Sequence, residues 1–376
     1  MMRETKELYE ALCEVFTVQG GRPGWSGWLE DDWPAFASLA EAQGVAPLVY
    51  WAFQQAGWPV EMPKSAQIAL SKAYYANMGY YTMLLGELER VLQAFAQANI
   101  PVMVLKGIAL AQEVYLEPST RRMNDLDLLV HGKDVEAALQ ALRTCGYHMQ
   151  KAIYHMAFVG GPRQQVAVEL HWSLMRRDSG YADRLWKRGC AWRVNAEHAP
   201  EAALALRLNP LDNLLYLSTH LMLQHAGDGA RLLWYYDIHL LLRRYSEELD
   251  WACLLAEAEA SGRAQPLFQA LEGVRERFGD LWLPEGFMKE LERLSASGVT
   301  PVHSEDWVQQ WTWDALCELG WRARLRLGLG LLLPHPEYMR WRYQPKPAWL
   351  WPATYPLRWW LLAREWLDNV LRASSS

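Results

Sequence analysis

The feature that most constrains this chain is a change of hydrophobic period between Asn99 and Pro101. Upstream, Leu84, Leu85, Leu88, Val91, Leu92 and Phe95 recur at helical spacing, with Glu87, Glu89, Arg90 and Gln93 between them. That is the pattern of an amphipathic helix. Asn99 closes it, and Pro101 opens the β-branched run Val102-Met-Val-Leu105, which reads as a buried strand. Gly107 follows, then a short helix through Ala109, Leu110, Val114 and Tyr115, and a polar loop from Glu117 to Asn124. A second strand spans Asp125–Val130, and a helix from about Lys133 to Cys145 is stopped by Gly146. Two further strands are predicted, Tyr147–Phe158 and Val166–Trp172, with Gly160-Gly161-Pro162 turning between them. Beyond Trp172 helical periodicity returns, after Pro210 and again over Leu232–Tyr245, and continues to about residue 295. The predicted class is α+β: a small mixed sheet with helices, at 99–175, between helical regions at 1–98 and 176–300. A Trp- and Arg-rich helical tail follows at 301–376.

Composition bounds what such a chain does. With 376 residues, 51% of them hydrophobic and 21% charged, it can bury two or three packed units, and global disorder is excluded. The net charge of −6 argues against a general nucleic-acid binder, since phosphate repulsion would oppose docking. The charge is uneven. Residues 321–376 carry nine Arg or Lys against three acids, leaving the rest of the chain at −12. The five cysteines are scattered, odd in number and without CxxC spacing, which fits a reducing compartment. The first residues, MMRETKELYEAL, hold no secretory apolar run, and no segment is a membrane span, so a cytoplasmic location is expected.

The chemistry is expected at the second strand. Asp125 and Asp127 alternate, so both project from one face, about 7 Å apart along the strand, while Leu126 and Leu128 point into the core. Glu169 and His171 share a face of the later strand in the same way. If the two strands pair, three carboxylates ring a site for hard divalent cations, with Glu169 holding a metal or taking a proton. The bland reading is that Asp125 caps a turn while Asp127 pairs with Arg121 or Arg122. Gly107 lets a phosphate approach bare backbone at a helix N-terminus, and Lys106 supplies a point charge there or reaches solvent. Of Arg121 and Arg122, one is expected to face the phosphates and the other to be structural. His171 orients Glu169 or is a half-buried strand histidine. His220 and His225, five apart and so about 140° apart on a helix, read first as core or capping residues.

The segment Leu105-Lys-Gly-Ile-Ala-Leu … Tyr115 … Arg122-Met-Asn-Asp-Leu-Asp-Leu-Leu-Val130, with Val168-Glu-Leu-His-Trp172, resembles the uncharacterised nucleotidyltransferase family of the polymerase-beta superfold. Leu215–His220, Leu232-Leu-Trp-Tyr-Tyr-Asp237 and Asp250-Trp251 are similar to its helical region, and the resemblance covers roughly 80–290. It implies a nucleotide-phosphate turn at Gly107, a metal pair at Asp125 and Asp127, and the third carboxylate at Glu169. It also implies Mg²⁺, or Mn²⁺, and a nucleoside triphosphate as substrate. By the same resemblance His220, His225 and Asp237 contact acceptor or nucleotide. The turn departs from the superfamily's usual Gly-Ser, since Ile108 follows Gly107. A DxD pair also occurs in metal-dependent transferases that use nucleotide sugars, and a non-catalytic nucleotide-binding scaffold is the third reading. The acceptor is expected to be a small molecule, sugar or peptide.

Ten of the 21 tryptophans fall between Trp307 and Trp366, and none between Trp58 and Trp172. The excess therefore lies outside the expected catalytic segment. In the tail it points to packing on the protein's own helices or a partner's, ahead of a membrane interface.

Overall fold

The computed structural model describes residues 3–17, 24–153, 156–160, 166–174, 181–192, 205–224, 230–279, 281–297, scattered positions between 321 and 343, and 345–373. Helices α1 (Thr5–Thr17), α2 (Asp32–Ala42) and α3 (Ala46–Ala56) precede the long α4 (Lys64–Gln97). Strand β1 (Val102–Val104), helix α5 (Lys106–Val114) and strand β2 (Asp125–Val130) follow, then α6 (Val135–Thr144). Strands β3 (His148–Ile153), β4 (Met156–Gly160) and β5 (Ala167–His171) come next, then α7 (Tyr181–Arg188), β6 (Cys190–Trp192) and β7 (Ala205–Arg207). Helices α8 (Pro210–Thr219), α9 (Leu232–Tyr245), α10 (Trp251–Ala260), α11 (Ala264–Phe278) and α12 (Phe287–Ser297) complete the body. A further helix, Thr354–Ala373, lies near the C-terminus.

The switch of period is built as expected. Asn99 takes the left-handed region at φ +53, and the Ile100 amide donates to the Phe95 carbonyl at 2.9 Å, closing the end of α4. The strands form one sheet in the order β3-β4-β5-β2-β1-β7-β6, with β2–β5 and β1–β7 parallel and the other pairs antiparallel. Two differences from the sequence reading stand out. The segment expected as one strand over Tyr147–Phe158 is a hairpin, β3 pairing with β4, because the chain reverses where no Gly or Pro marks a turn. Strands β6 and β7 were not expected, since three residues each are too few to show alternation.

Among the described residues, buried apolar side chains form two cores on opposite sides of the sheet. Leu126, Leu128, Val130, Val168 and Leu170 join Leu84, Leu88, Val91 and Phe95 of α4 and the apolar sides of α5 and α6. Met103, Leu105 and Leu129 face the other way, into a core shared by α1–α3 and α8–α12. At about 1.5 Å per residue α4 is about 50 Å long, and it enters both cores, with Ala66 and Leu70 in one and Leu84–Phe95 in the other. The N-terminal tryptophans are packing groups: Trp25, Trp28 and Trp33 lie 4.7–5.0 Å apart between ring centroids.

Candidate functional site

Alternation along β2 turns Asp125, Asp127 and Leu129 to the face that meets the helical body, and the same rule turns Glu169 and His171 there from β5. The parallel pairing sets Asp127 directly beside Glu169 and Leu129 beside His171. The loop that delivers β2 is held by α4. Asn77 Nδ2 donates to the carbonyls of Ser119 and Arg121, and the Tyr80 hydroxyl donates to the Asn124 carbonyl at 2.6 Å. The Leu105 amide donates to the Asp127 carbonyl at 2.9 Å, which carries the β1–β2 ladder up to the turn at Lys106.

The result is a cluster rather than a row of solvated charges. Ligand atoms of Asp127, Glu169 and His171 all lie within 4.8 Å of one another. His171 Nε2 is 3.0 Å from Asp127 Oδ1 and 3.7 Å from Glu169 Oε2. Lys106 Nζ lies 3.4 Å from the same Asp127 oxygen and 5.2 Å above the ring centre of Tyr216. Lys106 is the first residue of α5 and sits at φ +36, a conformation rare outside glycine. Strain of this kind is kept where the surroundings hold it in place, commonly at functional sites. Here Asp127 and Tyr216 do so.

The electrostatics show a site short of positive charge. Burial, and then the Asp127 charge, push the Asp125 carboxyl up to about 7. Burial, with the charges of Asp127 and Asp125, pushes Glu169 up to about 9. Burial also opposes ionisation of Asp127, but Lys106 and then His171 outweigh it and hold that carboxyl well below the ordinary range. Burial keeps His171 below its usual value, so the neutral ring donates from Nε2 to Asp127. Two carboxylates, a third beside them and an imidazole, with protons held back by crowding, fit a divalent cation.

A pH dependence follows. Asp125 and Glu169 titrate in the folded chain above their unfolded values near 4. Below about pH 4 both states keep the protons and the contribution is level. As pH rises through about 7 and then about 9, the unfolded chain has released protons that the folded chain still holds, so metal-free stability falls. A divalent cation held by Asp127, Glu169 and His171 would supply the missing charge. Thermal melts with chelator and with Mg²⁺ should therefore diverge between pH 5 and pH 8, with the gain from Mg²⁺ larger at the higher pH. A gain that is equal at both would contradict this electrostatic picture.

The remaining candidates are distributed unevenly. Gly107 opens α5 beside Lys106, 3.5 Å from its Cβ direction to Arg121 Nη1. Arg121 is buried and committed: its Nε and Nη2 donate to the two Asp237 oxygens at 2.8 and 2.7 Å, and the Tyr115 hydroxyl donates to the same carboxylate at 2.6 Å. Asp237, on α9, thus holds Arg121 behind the turn. Arg122 lies farther out, donating to the carbonyl and side chain of Glu41 on α2. His220 begins a π-helical turn, His220–Gln224, that extends α8. Its ring stands edge-on to Trp234 at 6.0 Å, and its charge is felt at Asp127. Wide turns of this type are frequent at functional sites. His225 lies outside the described residues. Tyr216 is the residue that sequence reasoning missed. In Leu214-Leu-Tyr-Leu217 it looks like core, and only its i,i+4 relation to His220 would have flagged it.

Among the described residues, no helix is long and apolar enough to cross a membrane. Of solved structures, the crystal structure of JHP933 from Helicobacter pylori is similar at 11% identity and a TM-score of 0.30, over 66% of this chain and 93% of that one. No curated protein matches the chain. The family described as uncharacterised nucleotidyltransferase matches residues 30–279, well over half of the 376, a span that holds the whole Lys106–Asp127–Glu169–His171 cluster, and the chain belongs to that family.

Proposed function

We propose that the protein moves a nucleoside monophosphate from a nucleoside triphosphate to a hydroxyl of a small molecule, sugar or peptide, releasing pyrophosphate. The observation that carries this reading is the convergence of Asp127, Glu169 and His171 from adjacent parallel strands, beside a largely buried lysine at the start of a helix. A divalent cation held there, Mg²⁺ or Mn²⁺, would stabilise charge on the transferring phosphoryl group and on the entering and leaving oxygens. Asp125 and Asp127 present the carboxylates. The His171 ring occupies one Asp127 oxygen and so fixes the direction of the other. Lys106, Gly107 and the free amides of α5 receive the phosphates, with Arg121 supporting the turn from behind. The acceptor oxygen bonds to the α-phosphorus, the bond to pyrophosphate breaks, and Glu169 takes the acceptor proton. His220, at the head of the π-helical turn, would contact the acceptor or the nucleotide.

Gly107 provides a test of the turn. A Cβ there would meet Met123 Cβ at 3.4 Å and Arg121 Nη1 at 3.5 Å, ordinary contact distances. Alanine also suits a helix better than glycine by about 0.5–1 kcal/mol. Its methyl group would stand behind the turn, against Met123 and Arg121, and leave the backbone amides open, so Gly107→Ala should melt no lower than the natural chain and keep its triphosphate KM. A lower melting temperature would show that the turn tolerates no side chain behind it.

The reaction class is tested by incubating the protein, with Mg²⁺ or Mn²⁺, with α-labelled nucleoside triphosphates and separately with nucleotide sugars labelled in the sugar. The proposal expects label from the first in an acceptor, with pyrophosphate released. Label from the second would identify a glycosyl transfer instead, and binding of triphosphate without pyrophosphate release would identify a scaffold.

A further inference from the structure

The segment after the family match carries a second property. Residues 321–376 lie beyond residue 279, where the match ends, and the C-terminal helix Thr354–Ala373 is within them. Trp321, Leu325, Leu329 and Leu332 are each helical, at sequence spacings of four, four and three residues. Together with Trp349 and Trp360 they are 49–73% exposed. The Trp359 Nε1–H donates to the Leu332 carbonyl at 2.7 Å, which joins the exposed Trp359 of the C-terminal helix to the exposed Leu332 as one apolar surface.

Charge says what covers it. The same 56 residues hold nine Arg or Lys and three acids, while the rest of the chain carries −12. We propose that this surface docks on a bilayer containing anionic lipid, lying in the interface without crossing it. In the sequence of this segment indole, leucine and guanidinium residues are interleaved, a composition that matches a boundary where headgroup charge and apolar depth fall within one side-chain length. The acidic body is repelled by the same headgroups, so the docked protein presents its tail to the membrane. The inference stands on this surface alone and is independent of the reaction.

The test is cosedimentation of the full chain with phosphatidylcholine vesicles and with vesicles containing about one-third phosphatidylglycerol. Three proteins are compared: the natural chain, Arg322→Gln/Arg324→Gln/Arg326→Gln, and Leu329→Ser/Trp349→Ser/Trp360→Ser, each checked for an unchanged melting temperature. The expected result is sedimentation with the anionic vesicles that weakens as salt is raised. It falls about a hundredfold in the arginine variant, at about fivefold per basic residue, and is lost in the serine variant. No sedimentation with anionic vesicles would overturn the proposal, as would equal sedimentation of all three proteins. Self-association that the serine variant abolishes, without vesicle binding, would also overturn it and identify a second copy as the occupant.

Discussion

Asp127→Asn is expected to lose at least about a thousandfold of its nucleotidyl transfer rate while keeping its fold. The rate estimate is the loss of roughly 4 kcal/mol of transition-state stabilisation, within the several kcal/mol that a metal-binding carboxylate supports, at 1.36 kcal/mol per tenfold. The fold estimate needs more care, because Asp127 is buried with Lys106 and His171 against it. Removing its charge leaves a largely buried ammonium without its partner, which alone would be costly. Two neighbours compensate. Asp125 and Glu169 hold protons because they are largely buried and, next in weight, because Asp127 is charged beside them. Once that charge is gone their affinity for protons falls, and either can ionise against Lys106. The variant should therefore unfold within about 1 kcal/mol of the natural chain in urea while transferring no measurable label. Normal transfer by folded Asp127→Asn would remove the cluster from the chemistry.

Asp237→Ala is expected to have the largest effect on stability. The Asp237 carboxylate is nearly inaccessible and accepts from Arg121 twice and from Tyr115 once. Truncating it leaves a buried guanidinium and a buried hydroxyl without an acceptor, at about 3–5 kcal/mol. Arg121→Met/Asp237→Leu removes both charges together and should recover most of the loss, since a matched apolar pair carries no uncompensated charge. Urea unfolding of the three proteins measures this. A loss below about 1 kcal/mol for Asp237→Ala would mean that the ion pair does not hold α9 to the turn. The pair also explains why sequence left open whether the structural arginine is Arg122 or Arg121. It lies four residues before Asp125, but its partner is 116 residues away, and nothing local in the sequence points to α9.

Much of the site was legible because it rests on local periodicity. Alternation alone put Asp125 with Asp127 and Glu169 with His171, and the change of period located β1 and the turn after it. The parallel β2–β5 register was not legible, since a crossover pairing depends on tertiary packing rather than on either strand. The reversal between β3 and β4 carries no turn residue, and β6 and β7 are too short to show a period. Lys106 and Tyr216 meet only because α8 packs across the open face of the sheet. The sequence thus named the charged residues of the site, but not the aromatic ring that holds Lys106 in place. His171 was half read: its face was clear, but its hydrogen bond goes to Asp127, with Glu169 farther off.

The central claim is that Asp127, with Glu169 beside it and His171 behind it, holds a divalent cation for nucleotidyl transfer. The most direct measurement is binding of Mn²⁺ followed by electron paramagnetic resonance, with and without a non-hydrolysable nucleoside triphosphate. The natural chain should bind Mn²⁺, more tightly when the analogue is present, and Asp127→Asn should lose that binding. Mn²⁺ binding of equal strength in the natural chain and in Asp127→Asn would contradict the account.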